Sequence, residues 1–276
     1  MSRVSDARGR VSNSLMTEHG QWRVALLELG LAPHPGAWVG PPELFDEWLW
    51  SPVNALLVRA PGEVILVDTG SGILGSWWPF EGYHCDLAGP LAEHRLAPAD
   101  VDLVVLTHFD FDHAGGLLAG SWPDALELVF RGTAVAIPAE AVAAARGEDP
   151  DAPLNVGTRL VGLLEGHGAL IEVTDGTNVA PGVRLRAAPG HRPGHAMIEI
   201  EDEEPFLFTA DTLHHPVHAT HPDWDGGADL QPELALATRR AVLQELADRG
   251  IRTAASHVRG IQRVARDGDT HRFITV

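Results

Sequence analysis

The run Leu106-Thr107-His108-Phe109-Asp110-Phe111-Asp112-His113-Ala114-Gly115-Gly116 decides how the chain is read. The apolar segment Val101–Leu106 leads into it and reads as a buried strand. Four side chains able to hold a metal follow within the six residues 108–113, and two glycines close the segment. Successive side chains of an extended chain point to opposite faces, so His108, Asp110 and Asp112 are expected to project the same way. His113 is expected where the chain turns. Carboxylates beside a buried strand cost roughly several kcal/mol unless a cation compensates them. The pattern therefore points to metal binding.

Three further places repeat it. Ala188-Pro189-Gly190-His191-Arg192-Pro193-Gly194-His195 follows the strand-like run Val183–Ala187. Thr209-Ala210-Asp211 follows Phe206–Phe208, and Ser256-His257 follows Ile251–Ala255. Each puts a metal-capable side chain just past a strand's C-terminal end, where α/β folds gather their sites. Ala55–Val58, Val64–Val67, Leu126–Phe130 and Met197–Ile200 also read as strands, with Pro61-Gly62 as a hairpin turn. Ala139–Arg146 and Pro232–Arg249 read as helices, the second with Pro at its start and Gly250 as its stop. Strands mixed with helices in this order indicate a layered α/β domain. Residues 1–20 read as a polar arm, and 21–276 as one domain.

The ordered set His108-x-Asp110-x-Asp112-His113, His191, Asp211 and His257 resembles the metallo-β-lactamase superfamily. The signature of that superfamily is His-x-His-x-Asp-His followed by a distant His, Asp and His. Val64–Gly70 is similar to the family's early strand and turn. The resemblance implies a four-layer αββα sandwich. It also implies one cation held by His108, Asp110, His191 and Asp211, and a second held by Asp112, His113, His257 and Asp211, with Asp211 shared. This chain departs from the signature at Asp110, where the family carries a second histidine. A carboxylate there makes the site harder and suits zinc, manganese or iron. One or two divalent ions, zinc first among them, are the expected cofactors. Asp112, Asp211 and His214 are the expected catalytic side chains. His214 lies three residues after Asp211, where lactonases of the family carry a tyrosine; here it donates a proton, binds substrate, or packs against its loop.

The implied activity is metal-assisted hydrolysis of an ester-like bond (lactone, ester or thioester) in a small, partly apolar molecule. A mononuclear iron oxygenase acting on a persulfide, and a non-catalytic binding protein, remain alternatives. The chain's 276 residues carry a formal charge of −18, which opposes nucleic acid and anionic membranes. The twenty basic side chains are all arginine, which excludes lysine-based covalent chemistry. A single cysteine, Cys85, excludes an intrachain disulfide and a cysteine-rich zinc site, and reads as a bystander. No secretory signal or apolar span is visible, so a cytoplasmic location is expected.

Among the residues around the core motif, His195, four residues after His191, reads as a ligand by spacing, a support behind the ligands, or a packing residue. Asp68 reads as holding a turn or orienting a ligand. His218 and His221 read as solvated. The tryptophans at 38, 48, 50, 77 and 78 fit an apolar substrate pocket, core packing or a homodimer interface, with Trp77-Trp78-Pro79-Phe80 the favoured substrate contact.

Overall fold

In the computed structural model, which describes residues 14–15, 22–76, 82–149, 155–224 and 227–276, two β-sheets lie face to face between helices. Leu56, Val58, Ile65, Val67 and Val105 of the first sheet share a buried cluster with Val183, Leu185, Ile198, Phe208 and Ala254 of the second. Their sequence neighbours point outward. Leu57, Leu66, Val104 and Ile137 meet Val142, Leu160 and Leu164 of the helices Ala139–Gly147 and Val156–Gly166. On the opposite side Met197, Leu207 and Ala255 meet Val242, Leu243 and Leu246 of the helix Pro232–Arg249. Strands covered on both faces must be apolar at every position, which accounts for the unbroken Val-Ile-Leu-Val of residues 64–67. The expected αββα sandwich is the fold.

The first sheet has eight strands and the second seven, with a separate two-stranded ladder, among the described residues. Several expected strands are found where the sequence placed them, including Val183–Ala187 and Phe206–Phe208. The helix Pro232–Arg249 ends at Gly250, whose φ of 62° only glycine adopts freely. Three expectations need correction. Val101–Leu106 shortens to the strand Leu103–Val105. The run at 126–130 becomes Ala125–Leu128, which pairs with Leu118–Ser121 outside both large sheets. A 13-residue strand, Arg23–Pro35, not indicated by the sequence, pairs with a second, Trp48–Ala60, which extends the expected Ala55–Val58. Pro52 fits in the second because its partner strand Glu63–Val67 reaches only from Leu56 to Ala60, leaving that edge unpaired. Of the proposed polar arm only Ser14–Leu15 falls among the described residues, paired with Val24 and Ala25. The Trp77–Phe80 cluster lies outside them.

Strand direction builds the site. Arg23–Pro35 and Glu63–Val67 both run antiparallel to Trp48–Ala60, and Leu103–Val105 runs parallel to Glu63–Val67. The C-terminal ends of these three strands therefore open on one rim, at His34, Asp68 and His108. Phe206–Phe208 and Arg252–Ala255 are parallel to each other and bring Asp211 and His257 together. Gly116 locks the rim: its N–H donates to Gly70 O at 2.8 Å, and a Cβ there would sit 2.0 Å from Thr69 O.

Phe208 is fully buried between the sheets. Phe208→Ala is expected to destabilise the fold by about 3–5 kcal/mol, read from urea denaturation.

Candidate metal centre

Nine His and Asp side chains among the described residues converge on this rim: His34, His108, Asp110, Asp112, His113, His191, Asp211, His214 and His257. His108 sits in the loop after Leu103–Val105, and Asp110 immediately precedes the four-residue helix Phe111–Ala114. The expected alternation therefore holds for His108 and Asp110 but stops there; Asp112 and His113 reach the centre from a helical turn. Asp211 stands at the middle. Its Oδ2 lies 3.3 Å from His113 Nε2, 3.4 Å from His191 Nε2 and 3.8 Å from His108 Nε2, and its Oδ1 lies 3.5 Å from His257 Nε2. Asp110 Oδ2 lies 3.6 Å from His108 Nε2 and 3.4 Å from His191 Nε2. Asp112 Oδ2 lies 3.6 Å from His257 Nε2, and Asp112 Oδ1 3.9 Å from His113 Nε2. These separations exceed hydrogen-bond length, about 2.7–3.2 Å. They suit two donors on one ion with bonds of about 2.0–2.2 Å.

The tautomers agree with that reading. His113 Nδ1 donates to Asp68 Oδ2 at 2.8 Å, His191 Nδ1 to Asp229 Oδ1 at 2.9 Å, and His257 Nδ1 to Pro52 O at 2.9 Å. Thr107 Oγ1 donates to Asp68 Oδ2 at 2.8 Å, so at 3.0 Å from His108 Nδ1 it accepts the ring N–H. All four rings thus turn a lone pair on Nε2 toward the centre. The Nε2 atoms of His108, His113 and His191, with Asp211 Oδ1, are buried without a hydrogen-bond partner. Orphaned polar atoms aimed at one another are what a cation site requires.

The charges point the same way. Burial alone raises Asp211, but His113 and His257 hold it well below the usual carboxylate range. Burial likewise opposes Asp112, which His113 and His34 bring down to about 2. Burial lowers His113, yet Asp211, Asp68 and Asp112 raise it well above an ordinary histidine. The carboxylates demand positive charge, which a divalent cation would supply in place of ring protons.

Of the neighbouring histidines, one takes a role the sequence allowed and one departs from expectation. His195 is a support: its Nδ1 donates to Ala188 O at 2.8 Å, and its Nε2 accepts the Asp211 N–H at 3.2 Å. With both nitrogens engaged it has nothing left for a metal. His218, expected in solvent, is buried with Nε2 3.2 Å from Val39 O. His221 is exposed as expected and stacks on Trp224 at 4.0 Å. Burial pushes His214 to about 4, and its ring lies 3.5 Å from Asp211 Oδ2 with neither nitrogen hydrogen-bonded.

Four residues were not anticipated from sequence. Arg192 Nε donates to Asp110 Oδ1 at 2.8 Å, offsetting the carboxylate that replaces a histidine. Arg239, fully buried, donates to Asp229 Oδ2 at 2.7 Å and to Thr212 O at 2.9 Å, so it ties the His191 support to the Asp211 loop. Asp229 is the third. His34, whose Nε2 lies 3.7 Å from Asp112 Oδ2, is the fourth. An arginine aligned with Ala235 and Val242 on a helix reads as surface in sequence, and a His between two prolines reads as a turn. Beside the centre opens a cavity of about 220 Å³, lined by Trp38, Tyr83, Phe109, Phe111 and Val156 as well as the polar groups. Trp48 and Trp50 are instead exposed. Burial pushes the Cys85 thiol up, in keeping with a bystander.

An αββα sandwich with a His/Asp cradle at one rim defines the class, and the chain belongs to the metallo-beta-lactamase superfamily, whose family model matches residues 48–257. Its fold is similar to that of AidC, a dizinc quorum-quenching lactonase solved with the product N-hexanoyl-L-homoserine (22% identity, TM-score 0.80, 96% of this chain and 98% of that one). It is also similar to the hydrolase AbOPH of the beta-lactamase superfamily (19%, TM-score 0.82, 97% and 98%). A probable metal-dependent hydrolase from Staphylococcus aureus shares the fold as well (18%, TM-score 0.77, 94% and 99%).

Asp68 adopts a left-handed backbone, φ 59°, which Asn tolerates. Asp68→Asn keeps the turn but weakens the acceptor for His113 and Thr107. Metal affinity is expected to fall about tenfold with far-UV circular dichroism unchanged, measured by competition with a chelating dye.

Proposed function

We propose that the protein is a metal-dependent hydrolase that cleaves an ester-like bond, a lactone, ester or thioester, in a small and partly apolar molecule. One observation carries the reading: buried Nε2 atoms of His108, His113 and His191 face Asp211 at donor spacing, without hydrogen-bond partners. His108, Asp110, His191 and Asp211 would hold one divalent cation, and Asp112, His113, His257 and Asp211 the other. Zinc suits this nitrogen and oxygen set best; manganese and iron also fit it. Such an ion, when bound, lowers the pKa of water to about 7 and polarises the oxygen under attack.

The chain's own groups do the rest. Asp112 accepts a hydrogen bond from the attacking water and sets its direction, while Asp211 holds the two halves of the cradle in register. His214, neutral near pH 7, keeps its proton and donates a hydrogen bond from its ring N–H to the oxygen on which charge develops. Phe109, Phe111 and Val156 hold the apolar part of the substrate and exclude bulk water. The dizinc lactonase and hydrolase neighbours support the class. The charge of −18 supports a small-molecule substrate over nucleic acid. No helix among the described residues is long and apolar enough to cross a membrane.

A second reading rests on a specific observation. His108, Asp110 and His191 form a two-histidine, one-carboxylate set, the arrangement that non-haem iron oxygenases use. Elemental analysis paired with oxygen-uptake assays separates the two. One iron per chain with thiol-dependent oxygen uptake would replace the hydrolase reading.

Against a panel of lactones, thioesters and phosphotriesters, the metal-loaded protein is expected to hydrolyse at least one carboxylic ester-like member. His108→Ala and Asp211→Ala are each expected to abolish that turnover and lower bound metal. Full activity in either variant contradicts the assignment. Chelation is also expected to lower the melting temperature, because the ion binds only the folded state.

A further inference from the structure

His34 is the second-to-last residue of Arg23–Pro35, a strand outside the metal signature and outside the matched residues 48–257. Its partner strand carries Pro52, the carbonyl that orients His257, so the two imidazoles are held by one ladder. The rings approach edge to face with centroids 4.5 Å apart. Tyr83, edge-on at 5.8 Å, and Trp38, tilted at 6.2 Å, wall the His34 ring from the other sides.

We propose that His34 Nε2 is a further donor to the cation held by Asp112 and His257, an assignment that rests on the cradle proposed above. His34 Nε2 and His257 Nε2 stand 3.7 and 3.6 Å from the same oxygen, Asp112 Oδ2, and the three donor atoms all lie within 4.8 Å of one another. A hydrogen bond would need about 2.7–3.2 Å, whereas donors at about 2.0–2.2 Å from a shared ion stand about 3–4 Å apart. His34 Nε2 therefore stands at the same spacing from this carboxylate as its neighbour His257 Nε2.

One difference gives the residue its character. The other four rings are fixed through Nδ1, but His34 Nδ1 is buried without a hydrogen-bond partner. Ring contacts with His257, Tyr83 and Trp38 position it in place of an Nδ1 hydrogen bond, so it is the adjustable member of the set. With it, the Asp112 side has five protein donors (His34, Asp112, His113, His257 and the shared Asp211). The His108 side has four (His108, Asp110, His191 and Asp211). The more open position, where substrate oxygen can enter, falls on the His108 side, next to Phe109 and Val156.

The test loads metal-free protein with cobalt(II) and follows equilibrium dialysis and the visible absorption band for the native sequence, His34→Ala, His34→Gln and His257→Ala. Far-UV circular dichroism and melting of each metal-free form establish folding. His34→Gln, which preserves bulk against Tyr83 and Trp38, stands in if the alanine variant fails to fold. The native chain is expected to take two ions. Each His34 variant is expected to hold one of them at least about tenfold more weakly, with an intensified and shifted band for that ion. Native affinities and an unchanged band in the His34 variants, while His257→Ala loses an ion, would overturn the assignment of His34 alone. Native binding in His257→Ala as well would overturn the cradle, and this inference with it.

Discussion

Asp110, Asp112 and Asp211 face one another across a ring of imidazoles, and three negative charges this close, largely removed from water, repel strongly unless positive charge stands between them. Partial compensation comes from the chain. Arg192 takes one oxygen of Asp110 and leaves the other for the centre. The remaining demand falls on the space between the Nε2 atoms, which is why the cradle is shaped for cations and not for a network of hydrogen bonds. Without that electrostatic constraint, a set of buried orphaned nitrogens would be a costly arrangement with nothing to offset it.

Holding such a cradle is a problem of alignment between distant parts of the chain. The donors come from the ends of strands in both sheets, so their spacing depends on the apolar interface where Val67 and Val105 meet Leu185 and Phe208. A second ring of groups then sets orientation. Asp68 serves His113 directly and His108 through Thr107, Pro52 O serves His257, and Asp229 serves His191 with Arg239 behind it. Ala210 accepts a left-handed backbone, φ 45°, at a cost of roughly 1–3 kcal/mol. In return Asp211 presents its carboxylate to the middle and its N–H to His195.

Much of this was legible in the sequence. Metal-capable residues after four strand-like runs announced a shared rim, and the order of those residues carried the αββα resemblance. Pro232 and Gly250 bounded their helix correctly because proline and glycine act through local backbone geometry. What stayed hidden depends on contacts between distant segments. Ala-Pro-His-Pro around His34 reads as a turn, yet pairing with Trp48–Ala60 makes it a strand end. Asp229 sits in a glycine-rich loop, and nothing local links it to His191. The helix starting at Phe111 reorients Asp112 and His113 in a way that strict alternation does not foresee. For His195, spacing alone could not separate support from ligand; the Ala188 carbonyl and the Asp211 N–H do.

In the proposed arrangement Asp211 would be shared by two cations, one bounded by His108, Asp110 and His191, the other by Asp112, His113 and His257. Anomalous diffraction from crystals grown with zinc, collected above and below the zinc absorption edge, tests this most directly. Two anomalous peaks are expected, one on each side of the Asp211 carboxylate and each within bonding distance of its histidines. A map with no peak at this carboxylate, or with metal only at other histidines of the surface, would contradict it.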